Sequence, residues 1–263
     1  MKIITCIKQV PASSQVEVDP KTGVLIRDGK NVKMNPYDLY ALEASFIIKA
    51  RLKDTQVHTI TMGPPSAKEV LRESLYMGAD QATLISDRRF AGADVLATSY
   101  TLSQMITFID DYQLIICGKQ TTDGDTAQVG PEIAEFLQIP HIPYVKEIID
   151  IDQKTITVKH AYDGYEEISQ VEMPCLLTIE KGSFVPRLPS YRRKLETEQY
   201  DIKTVNLGML KDNNPDHYGL FGSPTQVESI FPPDKKTMSI KIDGTPKKLA
   251  KKIYDVLKAQ RYV

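Results

Sequence analysis

Residues 113–137 read QLIICGKQTTDGDTAQVGPEIAEFL. The apolar run Leu114 to Cys117 has the length of a buried parallel strand, and a helical pattern follows it. Between them lies a polar loop with two glycines, three threonines and two aspartates. Strand, loop and helix in that order make half of a βαβ unit.

The same unit repeats upstream. KIITCIKQV runs as a buried strand to Pro11. VEVDPKTGVLIRDG reads as a hairpin turning at Gly23. NPYDLYALEASFIIKARLKD reads as an amphipathic helix, with Asn35 as N-cap, Pro36 at the first helical position and Asp38 at the positive end. VHTITMG, QATLISD and QLIICG are further strands. SAKEVLRESLYMGAD, with Ser66 as cap and Gly78 as stop, and GADVLATSYTLSQMITFI, capped near Asp94, are the helices between them. This alternation predicts an α/β fold, a doubly wound and mostly parallel sheet over about residues 1–145. KTITVKHAYDGYEEISQVEMPCLLTIEKG then alternates with period two about Asp163-Gly164. It predicts an antiparallel hairpin added to the same sheet.

The expected organisation is a domain over 1–195 and an extended C-terminal arm over 196–263. The arm reads as poorly packed until an amphipathic helix near Lys247 to Lys258, and an arm of that length lies on a partner. Hydrophobic residues make up 41% of the 263, enough for a real core. A formal charge of −1 argues for neither nucleic acid nor an anionic membrane. No signal peptide or membrane span is read, so a cytoplasmic protein is expected. Cys6, Cys117 and Cys175 have no zinc or cluster spacing and read as buried reduced thiols. No metal site and no catalytic side chain is expected among the scattered histidines.

In an open α/β sheet, ligands sit beyond the carboxyl ends of the strands. Cys6 to Pro11, Met62 to Pro65, the stretch before Asp94, and Gly118 to Val129 occupy such ends. The last is richest. Gly118 and Gly124 allow sharp turns, and Asp125 or Thr126 suits a helix cap. The amides of Thr126, Ala127, Gln128 and Val129 then face outward at a positive helix end, a phosphate site. Local chemistry alone leaves an anionic ligand and a plain solvated helix start both open, since the loop matches neither dinucleotide nor Walker fingerprint.

Taken together, CIKQVP, MNPYDLYALE, MGPPSAKEVLRESLYMGAD and CGKQTTDGDTAQVGPEIAEFL resemble the β subunit of electron-transfer flavoproteins in order and spacing. The resemblance implies an adenine-nucleotide-binding domain and an arm wrapping an α subunit. It implies nucleotide contacts at Cys6, Asn35, Pro36, Tyr37, Asp38 and Met62. In the loop it implies Gly118, Lys119, Gln120, Thr121, Thr122, Asp123, Gly124, Asp125, Thr126, Ala127, Gln128 and Val129. Ordinary members hold AMP; electron-bifurcating members hold a second FAD. DGDTAQVGP, VDPKTGVLIRDG and GADVLATS are similar to the bifurcating type, which adds Asp94 and Thr98 beside the flavin, with Val95 standing where that type has a threonine.

The implied activity is hydride exchange between NAD(H) and FAD. The electrons then divide between ferredoxin and a partner flavin dehydrogenase acting on lactate or another 2-hydroxy acid, or on an acyl- or enoyl-CoA. The alternative is an AMP-holding, non-bifurcating carrier. The loop at about 180–194 aligns with the family's docking loop. Phe184 and Leu188 are its expected apolar anchors, and Arg187, Arg192 and Arg193 its expected steering charges.

Overall fold

The computed structural model describes residues 1–12, 32–228 and 241–262. The hairpin expected at VEVDPKTGVLIRDG lies outside the described residues. The chain divides into two compact units, Met1–Glu228 and Ser229–Val263.

The first unit is built on a nine-stranded sheet. Its strands are β1 (Lys2–Cys6), β4 (Gln56–Met62), β5 (Gln81–Ile85), β6 (Leu114–Gly118), β7 (His141–Ile151), β8 (Thr155–Tyr162), β9 (Tyr165–Glu172), β10 (Cys175–Ile179) and β11 (Lys203–Val205). A small antiparallel pair, β2 (Gln9–Pro11) and β3 (Val32–Met34), stands apart. The main order is β11-β5-β4-β1-β6-β10-β7-β8-β9. Every pairing from β11 to β7 is parallel, and β7-β8-β9 is antiparallel.

The helices are α1 (Pro36–Arg51), α2 (Lys68–Met77), α3 (Val95–Ile109), α4 (Val129–Leu137) and the short α5 (Tyr191–Glu196). Alternate strand residues feed two cores. Ile3 faces Leu42, Phe46 and Leu75 from α1 and α2, while Ile4 faces Met105, Ile106 and Ile133 from α3 and α4. A sheet covered on both faces needs apolar residues at every strand position, which is why its strands read as unbroken runs. Two buried hydroxyl pairs, Thr5 with Ser45 and Thr59 with Ser74, each 2.8 Å, tie strands to α1 and α2.

The Asp163-Gly164 turn is as expected, with Gly164 at φ 91. Gly78 ends α2 at φ 135. The Ser66 cap is not formed: α2 starts at Lys68 with Ala67 in the cap position, and Ser66 Oγ bonds instead to Gln9 Oε1 at 3.2 Å. β10 was hidden as part of a hairpin strand. It returns across the antiparallel ribbon to pair between β6 and β7.

Residues that read as the start of the arm pack on the domain. β11 extends the sheet edge beside β5. Tyr218 is wholly buried, its ring centroid 5.4 Å from those of Phe90 and Tyr100, and its hydroxyl donates to the Asp212 carbonyl at 2.5 Å. One tyrosine and three strand residues carry no period, so the sequence pattern hides them. The second unit contains α6 (Pro246–Ala259), the helix expected near its end. Ile253, Val256 and Leu257 on it are exposed. Among the described residues no helix is long and apolar enough to cross a membrane.

If residues 201–228 are part of the folding unit, Tyr218→Ala lowers its stability by about 3–5 kcal/mol, the range for a large buried aromatic. Urea unfolding followed by circular dichroism measures it. A loss below about 1 kcal/mol would assign the segment to a loosely attached arm.

Candidate functional site

The strand order reverses between β1 and β6: the chain runs from β1 outward through β4 and β5, then returns to β6 on β1's other side. That is the topological switch point, where crossovers diverge and leave a crevice. Cys6 and Cys117 are register partners across it, both buried and reduced. The carboxyl ends of both strands and the 118–129 loop meet there.

Asn35 and Asp38 hold this meeting point together. Both are buried. Asp38 Oδ2 accepts from the Lys8 amide at 2.7 Å, and Oδ1 accepts from Asn35 Nδ2 at 2.9 Å. The same Asn35 Nδ2 donates to the Gln120 carbonyl at 2.9 Å, and Asn35 Oδ1 accepts from the Thr122 amide at 3.3 Å. Asn35 therefore stands in the N-cap position of α1 with its side chain spent on the Asp38 carboxylate and the loop, not on the helix backbone. Burial pushes the Asp38 carboxyl up to about 7, against the opposing pull of Asn35, the Lys8 amide, the Lys8 charge and Gly118.

Pro36 fills the first position of α1, and Tyr37 packs its backbone against Gly118. A β-carbon on Gly118 would lie 2.5 Å from Asp38 Oδ1 and 2.8 Å from the Tyr37 backbone, so glycine is required for close approach. Gly124 differs. Its φ is not left-handed, and a β-carbon there meets only Thr121 Oγ1 at 3.3 Å. The left-handed positions are Asp125 (φ 54) and Ala127 (φ 57). Such residues cost on the order of 1–2 kcal/mol each, and they gather at sites where the backbone serves a ligand.

The helix after the loop starts later than expected, at Val129, with Gln128 in the cap position. Neither Asp125 nor Thr126 caps it. The Asp125 carboxylate accepts from Gln120 Nε2, and its amide donates to the Thr121 carbonyl at 2.9 Å. Asp123 is held by Lys8, whose Nζ lies 2.9 and 2.8 Å from its two oxygens. Burial pushes Asp123 up, and the Lys8 bond and charge outweigh it, leaving the carboxyl below its ordinary value. Both aspartates are thus turned into the loop's own scaffold.

Among the described residues, the amides of Thr126, Ala127, Gln128 and Val129 donate to no protein acceptor. Ala127 in the left-handed region precedes Gln128 at φ −105 and ψ −27, the alternation that turns successive amides into one concavity. An uncapped helix end behind them adds positive potential. This donor set fits a phosphate or diphosphate. Gly130, unremarked in the sequence, lets α4 sit this low: its β-carbon would lie 2.6 Å from Thr178 Cγ2.

Lys119 leaves the loop. It pairs with Glu180 at 2.8 Å and lies 4.7 Å from the centroid of the Tyr144 ring. Met62 ends β4 on the same rim, half-buried against the core. Asp94 forms its expected cap, accepting from the Ala97 amide at 3.0 Å. Its other oxygen accepts from the Thr225 amide at 3.0 Å and the Thr225 hydroxyl at 2.7 Å. Those bonds commit its carboxylate to the chain itself, which disfavours it as a flavin contact. Thr98 lies one turn on, its amide bonded to the Asp94 carbonyl at 3.0 Å.

The 180–194 loop is pinned from beneath. Arg187 forks onto Glu43 at 2.8 and 2.9 Å, donates its amide to the same carboxylate at 3.0 Å, and stacks 4.6 Å over Phe46. Burial pushes Glu43 up, but the Arg187 bonds and charge leave it below its ordinary value. Arg193 Nη2 donates to the Ala79 carbonyl at 2.7 Å. Phe184 packs inward against the core. Arg187, Arg193 and Phe184 are therefore anchors of the loop to its own domain, a role that sequence cannot separate from outward steering. Arg192 pairs with Glu196 at the surface. Leu188 projects at 86% exposure and Val185, which the sequence reading passed over, at 88%.

The electron transfer flavoprotein domain model matches residues 22–208. The chain is 44% identical over 248 residues to the caffeyl-CoA reductase-Etf complex subunit CarD of Acetobacterium woodii, spanning 93% of each. It is 37% identical over 272 residues to the electron transfer flavoprotein subunit beta of Megasphaera elsdenii, spanning all of each. It is 39% identical over 259 residues to the protein FixA of Azotobacter vinelandii, spanning 95% of this chain and 92% of that one. The chain belongs to the electron transfer flavoprotein family, among its β subunits. An electron-transfer role follows from that membership.

The buried Asp38 gives a pH test. A folded pKa near 7 above an unfolded 3.8 means the native state binds the extra proton between those values. Stability from this group is present below about 4 and is lost as pH rises through about 7. His58, which burial and Lys2 push down to about 4, acts in the opposite sense over part of that window. The wild-type chain should therefore lose stability relative to Asp38→Asn between pH 5 and pH 8 in paired urea titrations. A pH-independent difference between the two would refute the assignment.

Proposed function

We propose that this chain is the β subunit of an electron-bifurcating electron-transfer flavoprotein. It holds FAD at the 118–129 loop and exchanges hydride with NAD(H). It works beside an α subunit, ferredoxin and a partner flavin dehydrogenase. The observation that carries the reading is the loop itself: four amides at the switch point with no acceptor among the described residues, and both nearby aspartates paired or turned aside. Kinship to a subunit of a caffeyl-CoA reductase-Etf complex supports it.

FAD, when bound, supplies both hydride exchange and one-electron transfer, which together allow an electron pair to be divided. The chain's own residues bind and orient. The amides of Thr126 to Val129 would take the diphosphate, and Asn35 and Asp38 keep the loop closed over β1 and β6. The second unit, with the exposed apolar stripe of α6, is read as the arm that lies on the α subunit, the flavodehydrogenase end being left to the 180–194 loop.

Co-purification of this chain with its α subunit, followed by nucleotide extraction and chromatography, tests the cofactor. Two FAD per heterodimer is expected; one FAD with one AMP would overturn the bifurcating reading. Gly124→Asp, which the backbone accommodates, should cut β-site FAD occupancy severalfold without unfolding the chain.

Docking through the 180–194 loop has a separate test. Leu188→Asp should reduce electron transfer to the partner dehydrogenase about tenfold or more, the scale of an interface anchor, while flavin content stays the same. Unchanged transfer rates would move the docking surface elsewhere.

A further inference from the structure

Lys8 falls within the Cys6 to Pro11 strand end of the sequence reading but is given no role of its own there. In the structure the strand ends at Cys6, and Lys8 stands free of the ladder at the switch point. Its amide is fixed by buried Asp38 at 2.7 Å. Its ammonium clasps Asp123 through both carboxylate oxygens, 115 residues away in sequence. The pair is partly exposed, 43% and 27% for the two side chains. Pairs of that exposure add little to stability, so the clasp is poorly explained as a structural strut.

Its position suggests a different use. Asp123 and Asp125 both belong to the loop whose amides, without an acceptor among the described residues, would meet the ligand. The Asp125 carboxylate accepts from the neutral amide of Gln120, which brings it no opposite charge. The Lys119 charge is spent on Glu180. Among the described residues, Lys8 is then the cation that offsets the loop's negative charge. A carboxylate within a screening length of about 8 Å of a diphosphate repels it unless compensated.

We propose that Lys8 is a specificity-determining residue of the nucleotide site: by neutralising Asp123 it makes the loop accept a phosphate-bearing ligand. The inference rests on the 118–129 loop being the nucleotide site, and it holds for FAD or AMP alike. Lys8→Met leaves Asp123 uncompensated and weakens the charged ligand. It does not touch whatever recognises the uncharged nucleoside.

The full chain, co-expressed with its α subunit and stripped of exchangeable nucleotide, is titrated calorimetrically with FAD, AMP and adenosine. In Lys8→Met the Kd of the nucleotide that the wild type retains rises tenfold or more, while that of adenosine stays within twofold. The Lys8→Met/Asp123→Asn double variant recovers most of the loss, and Lys8→Arg stays near wild type. Equal losses for nucleotide and adenosine, no recovery in the double variant, or no loss in Lys8→Met would each overturn the inference. A wild type that retains AMP and rejects FAD overturns the bifurcating reading alone, and Lys8 is then judged on AMP.

Discussion

A carboxylate buried among donors organises this molecule's working end. Asp38 receives the Lys8 amide and the Asn35 side chain, and Asn35 in turn receives the loop. The two chain segments that leave the sheet at its switch point, after β1 and after β6, are thereby tied to one pair of side chains. Burying a charge costs several kcal/mol unless donors surround it. Here the cost shows as a carboxyl pushed up to about 7. The same pair satisfies the Gln120 carbonyl and the Thr122 amide, which would cost as well if left unpaired.

The loop's chemistry follows from that anchorage. With Asp38 and Asn35 below it, the chain can hold two non-glycine residues in left-handed conformations and leave four amides without an acceptor among the described residues. A loop without such a frame would relax and let its aspartates cap the helix. The frame prevents this by giving each carboxylate another partner. What remains for a ligand is backbone, which suits a phosphate group and needs no catalytic side chain.

The second functional surface is built on the same logic. A basic loop with apolar residues looks in sequence like a row of outward charges. In the structure two of its three arginines and its phenylalanine point inward, and the rigid base they form projects Val185 and Leu188 into solvent. Arginine is suited to both tasks, since its fork satisfies a carboxylate or a carbonyl at home as readily as on a partner.

The sequence determined the parts whose signal is local. Periods of two and of about 3.6 located β1, β4, β5, β6, β8 and β9 and the helices α1 to α4 and α6, but not β7, β11 or α5, because burial on one or both faces is written residue by residue only where the pattern is regular. Gly78, Gly164 and Asp94 were legible because turn and cap chemistry is decided within a few residues. The glycine-rich loop at a strand end was legible as the best site. Only the tertiary structure decided which contacts that loop makes. Asn35 and Asp123 as scaffold, Lys8 as clasp, Gly130 as close approach and Tyr218 as core all depend on partners 30 to 128 residues away or on gaps left by other elements. No local pattern encodes such distances, since side chains are spent on whichever partner the completed fold brings within reach.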